Sequence, residues 1–98
     1  MNITSERNGT AMTITLEGRL DTMSAPEFEK EIAELPEDIS ELTMDFSKLE
    51  YISSAGLRVL LTAHKRMAVK AGMKVMHVNE IVQEVLEVTG FNDILTVC

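Results

Sequence analysis

At 98 residues, 45% of them hydrophobic, the chain is long enough for one domain with its own core and too short for two. Its formal net charge of −7 argues against a general nucleic-acid binder, which needs surplus Lys and Arg to neutralise phosphates, and no apolar run is long enough to span a membrane. The N-terminus MNITSERNGT has neither a basic region nor an apolar stretch, so no secretory signal is expected and the chain reads as cytoplasmic; a single cysteine, Cys98, leaves no internal disulfide.

The first structural signal is Asn8-Gly9 in ERNGTA, the dipeptide of a type I′ hairpin turn, which needs positive φ at both central residues. A strand is expected on each side. In the second, Met12, Ile14 and Leu16 alternate with Thr13, Thr15 and Glu17, so one face is apolar and the other wet. Ser24-Ala25-Pro26-Glu27 has the form of a capping box, with the Ser24 hydroxyl accepting from the Glu27 amide and the carboxylate reaching back. The helix it opens carries Phe28, Ile32 and Leu35 as its stripe and ends before Pro36.

ELTMDFS repeats the alternating pattern, with Leu42, Met44 and Phe46 on one side and Thr43 and Asp45 on the other. Strands of a doubly wound sheet are apolar on both sides, so this pattern predicts helices on one face only. Two serines, Ser53 and Ser54, then precede a helical pattern over 55–71 whose stripe reads Leu57, Leu60, Leu61, His64, Ala68 and Ala71. Lys65, Arg66 and Lys70 load its last turns, where cations complement the dipole, and Gly72 is a natural stop. KVMHV reads as a short strand whose apolarity suggests a central place. Asn79 caps a third helix with the stripe Val82, Val85, Leu86 and Thr89, ended by Gly90, and FNDILTV supplies a last strand.

The expected fold is therefore a single α/β domain over 1–98, with a mixed sheet of an antiparallel hairpin followed by parallel strands and helices on one face. Its charge is unevenly spread: residues 1–50 hold four basic and twelve acidic side chains, whereas residues 51–79 hold five basic and none acidic. The basic segment begins at the serine pair, as either a solvated face or an interaction face.

No enzyme constellation stands out. His64 and His77 lie on different elements, and no cluster of Cys, His and carboxylates has metal-ligand spacing. Ser54, His64 and Asp21 include the residue types of a hydrolytic triad, but no G-x-S-x-G elbow presents the serine. No glycine-rich loop cradles a phosphate, so neither a metal nor a cofactor is expected. Either serine suits the N-cap of the following helix, because its hydroxyl satisfies an orphan amide. A phosphate on a serine at a helix N-terminus is also locally tolerated, adding about −1.5 to −2 charges without melting the helix, so it acts on a partner and not on the fold.

With these residues in view, the sequence resembles the STAS family, and within it the small stand-alone anti-sigma factor antagonists, over nearly its whole length. Gly18-Arg19-Leu20-Asp21 is similar to the family's G-x-L-D segment, and DFSKLEYISSAGLRVLL is similar to its strand, serine loop and helix. The resemblance implies a non-enzymatic phospho-switch. The unphosphorylated form binds an anti-sigma factor that is itself a serine kinase and so releases a sigma factor for transcription; phosphorylation ends the binding, and a PP2C-type phosphatase resets it. Matched through Gly56-Leu57, the acceptor falls on Ser54, with Ser53 as the alternative, standing where the commonest members have aspartate. Asp21, Ser53, Ser54, Ala55, Gly56 and Arg58 are then the implied partner surface, with Asp21 beside Ser54. A STAS scaffold or ligand-sensing subunit that is never phosphorylated is the rival reading, and a small enzyme with Ser54 as nucleophile a second. Family members continue into a further helix where this sequence stops, so an uncovered helix or sheet edge is expected, with the chain a monomer or a weak homodimer.

Overall fold

A computed structural model describes residues 1–98. Two strands, β1 (Asn2–Asn8) and β2 (Ala11–Leu20), form the hairpin, and three β-α-β crossovers follow. These use α1 (Ala25–Ala33), β3 (Glu41–Ile52), α2 (Ser54–Ala68), β4 (Gly72–Met76), α3 (Glu80–Val88) and the two-residue β5 (Thr96–Val97). Strand order in the sheet is the chain order, with β1 antiparallel to β2 and every later pair parallel. When each crossover steps one strand the same way, a common right-handed connection carries every helix to the same face. The other face of the sheet is left open.

The alternation predicted for β2 and β3 holds on that basis. Ile14, Leu16, Leu42, Met44 and Phe46 are buried beneath the helices, while Thr13, Thr15, Thr43 and Asp45 are only half-buried on the open side. Fully burying a side chain of this size contributes about 1.5–3 kcal/mol, so the register of these strands is strongly specified.

Several expectations need correction. The hairpin turn is centred on Gly9-Thr10, with Asn8 paired to Ala11, and of the two central residues only Gly9 has a positive φ. A turn that asks for glycine at its first central position alone is of the II′ kind, so Asn8 belongs to the strand. β3 runs to Ile52 because two irregularities in its pairing with β2 re-phase it: three steps on β3 oppose two on β2 between Asp45 and Lys48, and two oppose one between Leu49 and Tyr51. The buried positions accordingly jump from Phe46 to Leu49 and Ile52, and period-two reading loses the strand at the first jump.

On α2 the buried residues are Gly56, Leu57, Val59, Leu60, Ala63 and Met67, whereas Leu61 and His64 are half-buried and Ala68 and Ala71 are exposed. Lys70 and Arg66 reach across to the end of α1. Arg66 donates to the carbonyls of Ile32 (2.6 Å) and Leu35 (2.8 Å), and Lys70 to those of Glu37 (2.5 Å) and Ile39 (3.0 Å). These cations satisfy orphan carbonyls of another helix and its exit loop. β3, not β4, is the central strand. Asn79 caps α3 as expected, its Oδ1 accepting from Val82 N–H at 2.8 Å. FNDILTV opens with a 3-10 turn (Phe91–Asp93), leaving β5 only Thr96 and Val97.

Candidate functional site

β2 and β3 run parallel, so their C-terminal ends emerge side by side, and Leu20 is the register partner of Ile52. Just beyond that pair the Ser53 N–H donates to the Leu20 carbonyl at 2.8 Å. One backbone hydrogen bond thus ties the start of the Asp21 loop to the serine pair.

The two serines differ in environment. Ser53 is the N-cap of α2, with extended backbone (φ −99°, ψ 175°) and its hydroxyl accepting from Gly56 N–H at a long 3.5 Å. Ser54 is the first helical residue, is exposed, and its hydroxyl makes no intramolecular hydrogen bond. Capping occupies one serine and leaves the other hydroxyl free.

Beneath them Gly56 is buried. A Cβ there would lie 2.6 Å from Cγ of Leu20 and 3.1 Å from Cγ1 of Ile52. Glycine is required by close approach of the helix to the two strand ends, so Gly56 shapes the site from below and presents no surface of its own. Ala55 is half-buried against the core, while Arg58 is exposed one turn on and its side chain forms no ion pair.

The Asp21 loop departs from the expected capping box. Ser24 has no side-chain bond to Glu27; its hydroxyl donates to the Arg19 carbonyl at 2.6 Å and accepts from Asp21 N–H at 3.0 Å. The cap is supplied three residues earlier, where Asp21 Oδ1 accepts from the N–H groups of Met23 (3.0 Å) and Ser24 (3.1 Å). Asp21 therefore closes the turn before α1, and Ser24, the one buried polar residue, ties that turn back to β2. The backbone N–H of Ser24 foremost, against partial desolvation, holds the Asp21 carboxyl below its ordinary value, with Met23 N–H and the Arg19 guanidinium adding to the effect. Its other oxygen lies 3.9 Å from Arg19 Nε, and that guanidinium also sits 4.6 Å over the Tyr51 ring. Sequence reasoning missed this Arg19–Tyr51 contact; they are register partners on neighbouring strands, a pairing visible only once the irregular stretch of β3 is aligned.

The imagined triad does not assemble. His64 lies ten residues along α2 from Ser54, a helical rise of about 15 Å, and its Nδ1 is buried without a partner. His77 instead faces Asp45 on β3 with Nδ1···Oδ1 at 3.0 Å. No three His, Cys, Asp or Glu side chains converge as a metal site.

The family described as Mlab, STAS domain, matches residues 3–96. A Bordetella bronchiseptica protein named as an anti-sigma factor antagonist, BtrV, is 31% identical over 99% of this chain and 85% of its own length. The anti-sigma-B factor antagonist of Bacillus subtilis is 24% identical over 99% of this chain and 90% of its own. In fold, the chain is similar to an anti-sigma factor antagonist from Mycobacterium paratuberculosis, with a TM-score of 0.88 at 21% identity over 98% of this chain and 83% of that one. It is also similar to the anti-sigma factor antagonist SpoIIAA in its unphosphorylated form, with a TM-score of 0.80 at 16% identity over 99% and 88%.

Proposed function

From the premise that the chain belongs to the STAS domain family, we propose that it is an anti-sigma factor antagonist, a non-enzymatic module that binds an anti-sigma factor until Ser54 is phosphorylated. The relatives matched over 85% and 90% of their own length carry that role in their names. One observation supports Ser54 over Ser53: the Ser53 hydroxyl is the cap of α2, whereas the Ser54 hydroxyl is exposed and unbonded.

The helix start suits a switch of this kind. Free N–H groups and the positive end of the α2 dipole stabilise a phosphate at Ser54, so the fold survives modification. Its effect falls on the surface. Asp21, whose depressed pKa keeps it ionised, is tied to the same strand ends, so the new charge joins an existing carboxylate there. A partner shaped for the neutral hydroxyl then has to bury a doubly charged group, a penalty of several kcal/mol when no cation pairs with it. Every 1.4 kcal/mol is tenfold in affinity, so that is enough to end micromolar binding. The partner surface comprises Asp21, Ser53, Ser54, Ala55 and Arg58, set over Gly56. An anti-sigma factor with serine-kinase activity is its counterpart, and a PP2C-type phosphatase, acting in the cytoplasm, reverses the modification.

Transfer of labelled phosphate from ATP by the anti-sigma kinase of the same genome tests the reading. Label should be abolished by Ser54→Ala and retained by Ser53→Ala, and the phosphorylated protein should lose affinity for the kinase. The matching family is described by its STAS domain and not by a sigma-factor role, so the second reading is a STAS subunit of another complex that is never phosphorylated. Stable binding to another partner together with no labelling by the kinase selects that reading.

A further inference from the structure

We propose that the open face of the sheet is a self-complementary surface on which a second copy of this chain docks, face to face, about a two-fold axis parallel to the strands. The proposal is independent of the Ser54 switch, which lies at the strand ends and remains uncovered.

The argument rests on strand register. Glu6, Thr13, Thr43 and Lys74 lie in one row across β1, β2, β3 and β4, since Glu6 pairs with Thr13, Thr13 with Thr43 and Thr43 with Lys74. All four have the parity that points away from the helices. Two rows further along, Glu17 on β2 pairs with Lys48 on β3. The irregularity between Asp45 and Lys48 turns Lys48 outward, because Leu49 takes the next buried place after Phe46. The open face therefore carries Glu6 and Glu17 on its β1–β2 half and Lys48 and Lys74 on its β3–β4 half.

None of these four charges has an ion-pair partner within the chain, whose only such pairs are Arg7–Asp38, Arg19–Asp21 and His77–Asp45. A two-fold axis running between β2 and β3 exchanges the halves of the sheet while keeping each row in place. It sets Glu6 against Lys74 of the copy, Glu17 against Lys48, and Thr13 against Thr43. Asp45 sits on the lysine half but is already paired with His77, and it meets the Thr15 hydroxyl of the copy. Glu41, at the rim, meets Ala11. An axis running across the strands would instead stack Glu6 on Glu6 and Lys74 on Lys74, so charge selects one arrangement.

The patch is small. Four strands about 4.8 Å apart and some five residues at about 3.3 Å enclose roughly 300 Å², under half the ~800 Å² per partner of a standard interface. Rim-type ion pairs add orientation more than affinity. The dimer is accordingly weak, forming at high micromolar concentration, and salt-sensitive.

Sedimentation equilibrium of the full chain between 10 µM and 1 mM is the test. At low salt the weight-average mass should climb from 10.9 kDa towards twice that value, and 0.5 M NaCl should weaken association about tenfold. Glu6→Lys and Lys74→Glu should each hold the protein at the monomer mass, and the double substitution E6K/K74E should restore the dimer, because it exchanges the two signs without changing the pairing. Both residues are exposed and bonded to no side chain, so circular dichroism should be unchanged. A monomer at 1 mM, a dimer indifferent to either single substitution, or a double variant that fails to recover overturns the proposal.

Discussion

Gly56 and Leu20 are in such close register that a single methyl group on the glycine would lie 2.6 Å from Cγ of the leucine. Leu20 ends β2 and Gly56 lies in the first turn of α2, so their contact sets the height at which the helix start, and with it Ser54, sits over the strand ends.

Substituting Gly56→Ala should therefore cost about 1–3 kcal/mol, the usual range for overpacking a filled core. The lost stability should appear as a lower midpoint in urea unfolding, accompanied by weaker partner binding because the helix start is pushed outward. An unchanged midpoint would mean that Leu20 moves aside freely.

The serine pair should divide stability from modification. Ser53→Ala removes a long cap bond and should cost about 0.5–1 kcal/mol, at the low end for caps. Ser54→Ala at an exposed, unbonded position should fall within about 0.5 kcal/mol of wild type. Thermal unfolding of both variants checks this; a larger loss at Ser54 would show that its hydroxyl has a structural role.

At Ser24, replacement by Ala leaves the Arg19 carbonyl and the Asp21 N–H without their partner in a buried place. A loss of about 1–3 kcal/mol is expected, along with faster hydrogen exchange at the Met23 and Ser24 amides as the Asp21 turn loosens. Glu27→Ala should do little by comparison, since no capping box forms.

Arg66→Ala should destabilise by about 1.5–3 kcal/mol, the range for hydrogen bonds from a charged donor, because the carbonyls of Ile32 in α1 and of Leu35 just beyond it lose their guanidinium. Lys65→Ala, exposed and without such contacts, is the control. Equal stability of the two variants would contradict the role given to Arg66.

Acid should unfold the protein through its carboxylates. Asp21, Asp38 and Asp45 are all held below their ordinary value of 3.8. Backbone N–H of Ser24 is the main cause at Asp21 and the Arg7 ion pair at Asp38. At Asp45, desolvation pushes upward but is outweighed by Ser47 N–H and His77. A carboxylate with a folded pKa lower than its unfolded one contributes stability that is fully present above 3.8 and lost as pH falls through the folded value. The urea midpoint should therefore hold from pH 7 to about 5 and decline below 4, and Asp21→Asn should flatten the decline. A midpoint independent of pH down to 3 would count against these shifts.

Chain order, strand–helix alternation and the one-faced sheet were legible in the sequence because they follow from local periods: Met12, Ile14 and Leu16 at two, Phe28 and Ile32 at four, Asn79 as a cap. The rest failed where two local solutions were equally good. Asp21 and Ser24 are both capping residues three apart, and the strand end at Leu20 chose Asp21 by placing the Arg19 carbonyl within reach of the Ser24 hydroxyl. α2 is apolar on much of its circumference, so Leu61-His64-Ala68 and Gly56-Leu60-Ala63-Met67 both have helical spacing; contact with the sheet and α1 selected the second.

The serine pair shows the same boundary. Sequence alone determined that two hydroxyls stand at a helix start, since residue type and period are local properties. Only the tertiary structure decided that Ser53 caps and Ser54 faces solvent, because the division depends on the Leu20 carbonyl anchoring Ser53 N–H from a neighbouring strand thirty-three residues away in sequence, a long-range contact that no local pattern encodes.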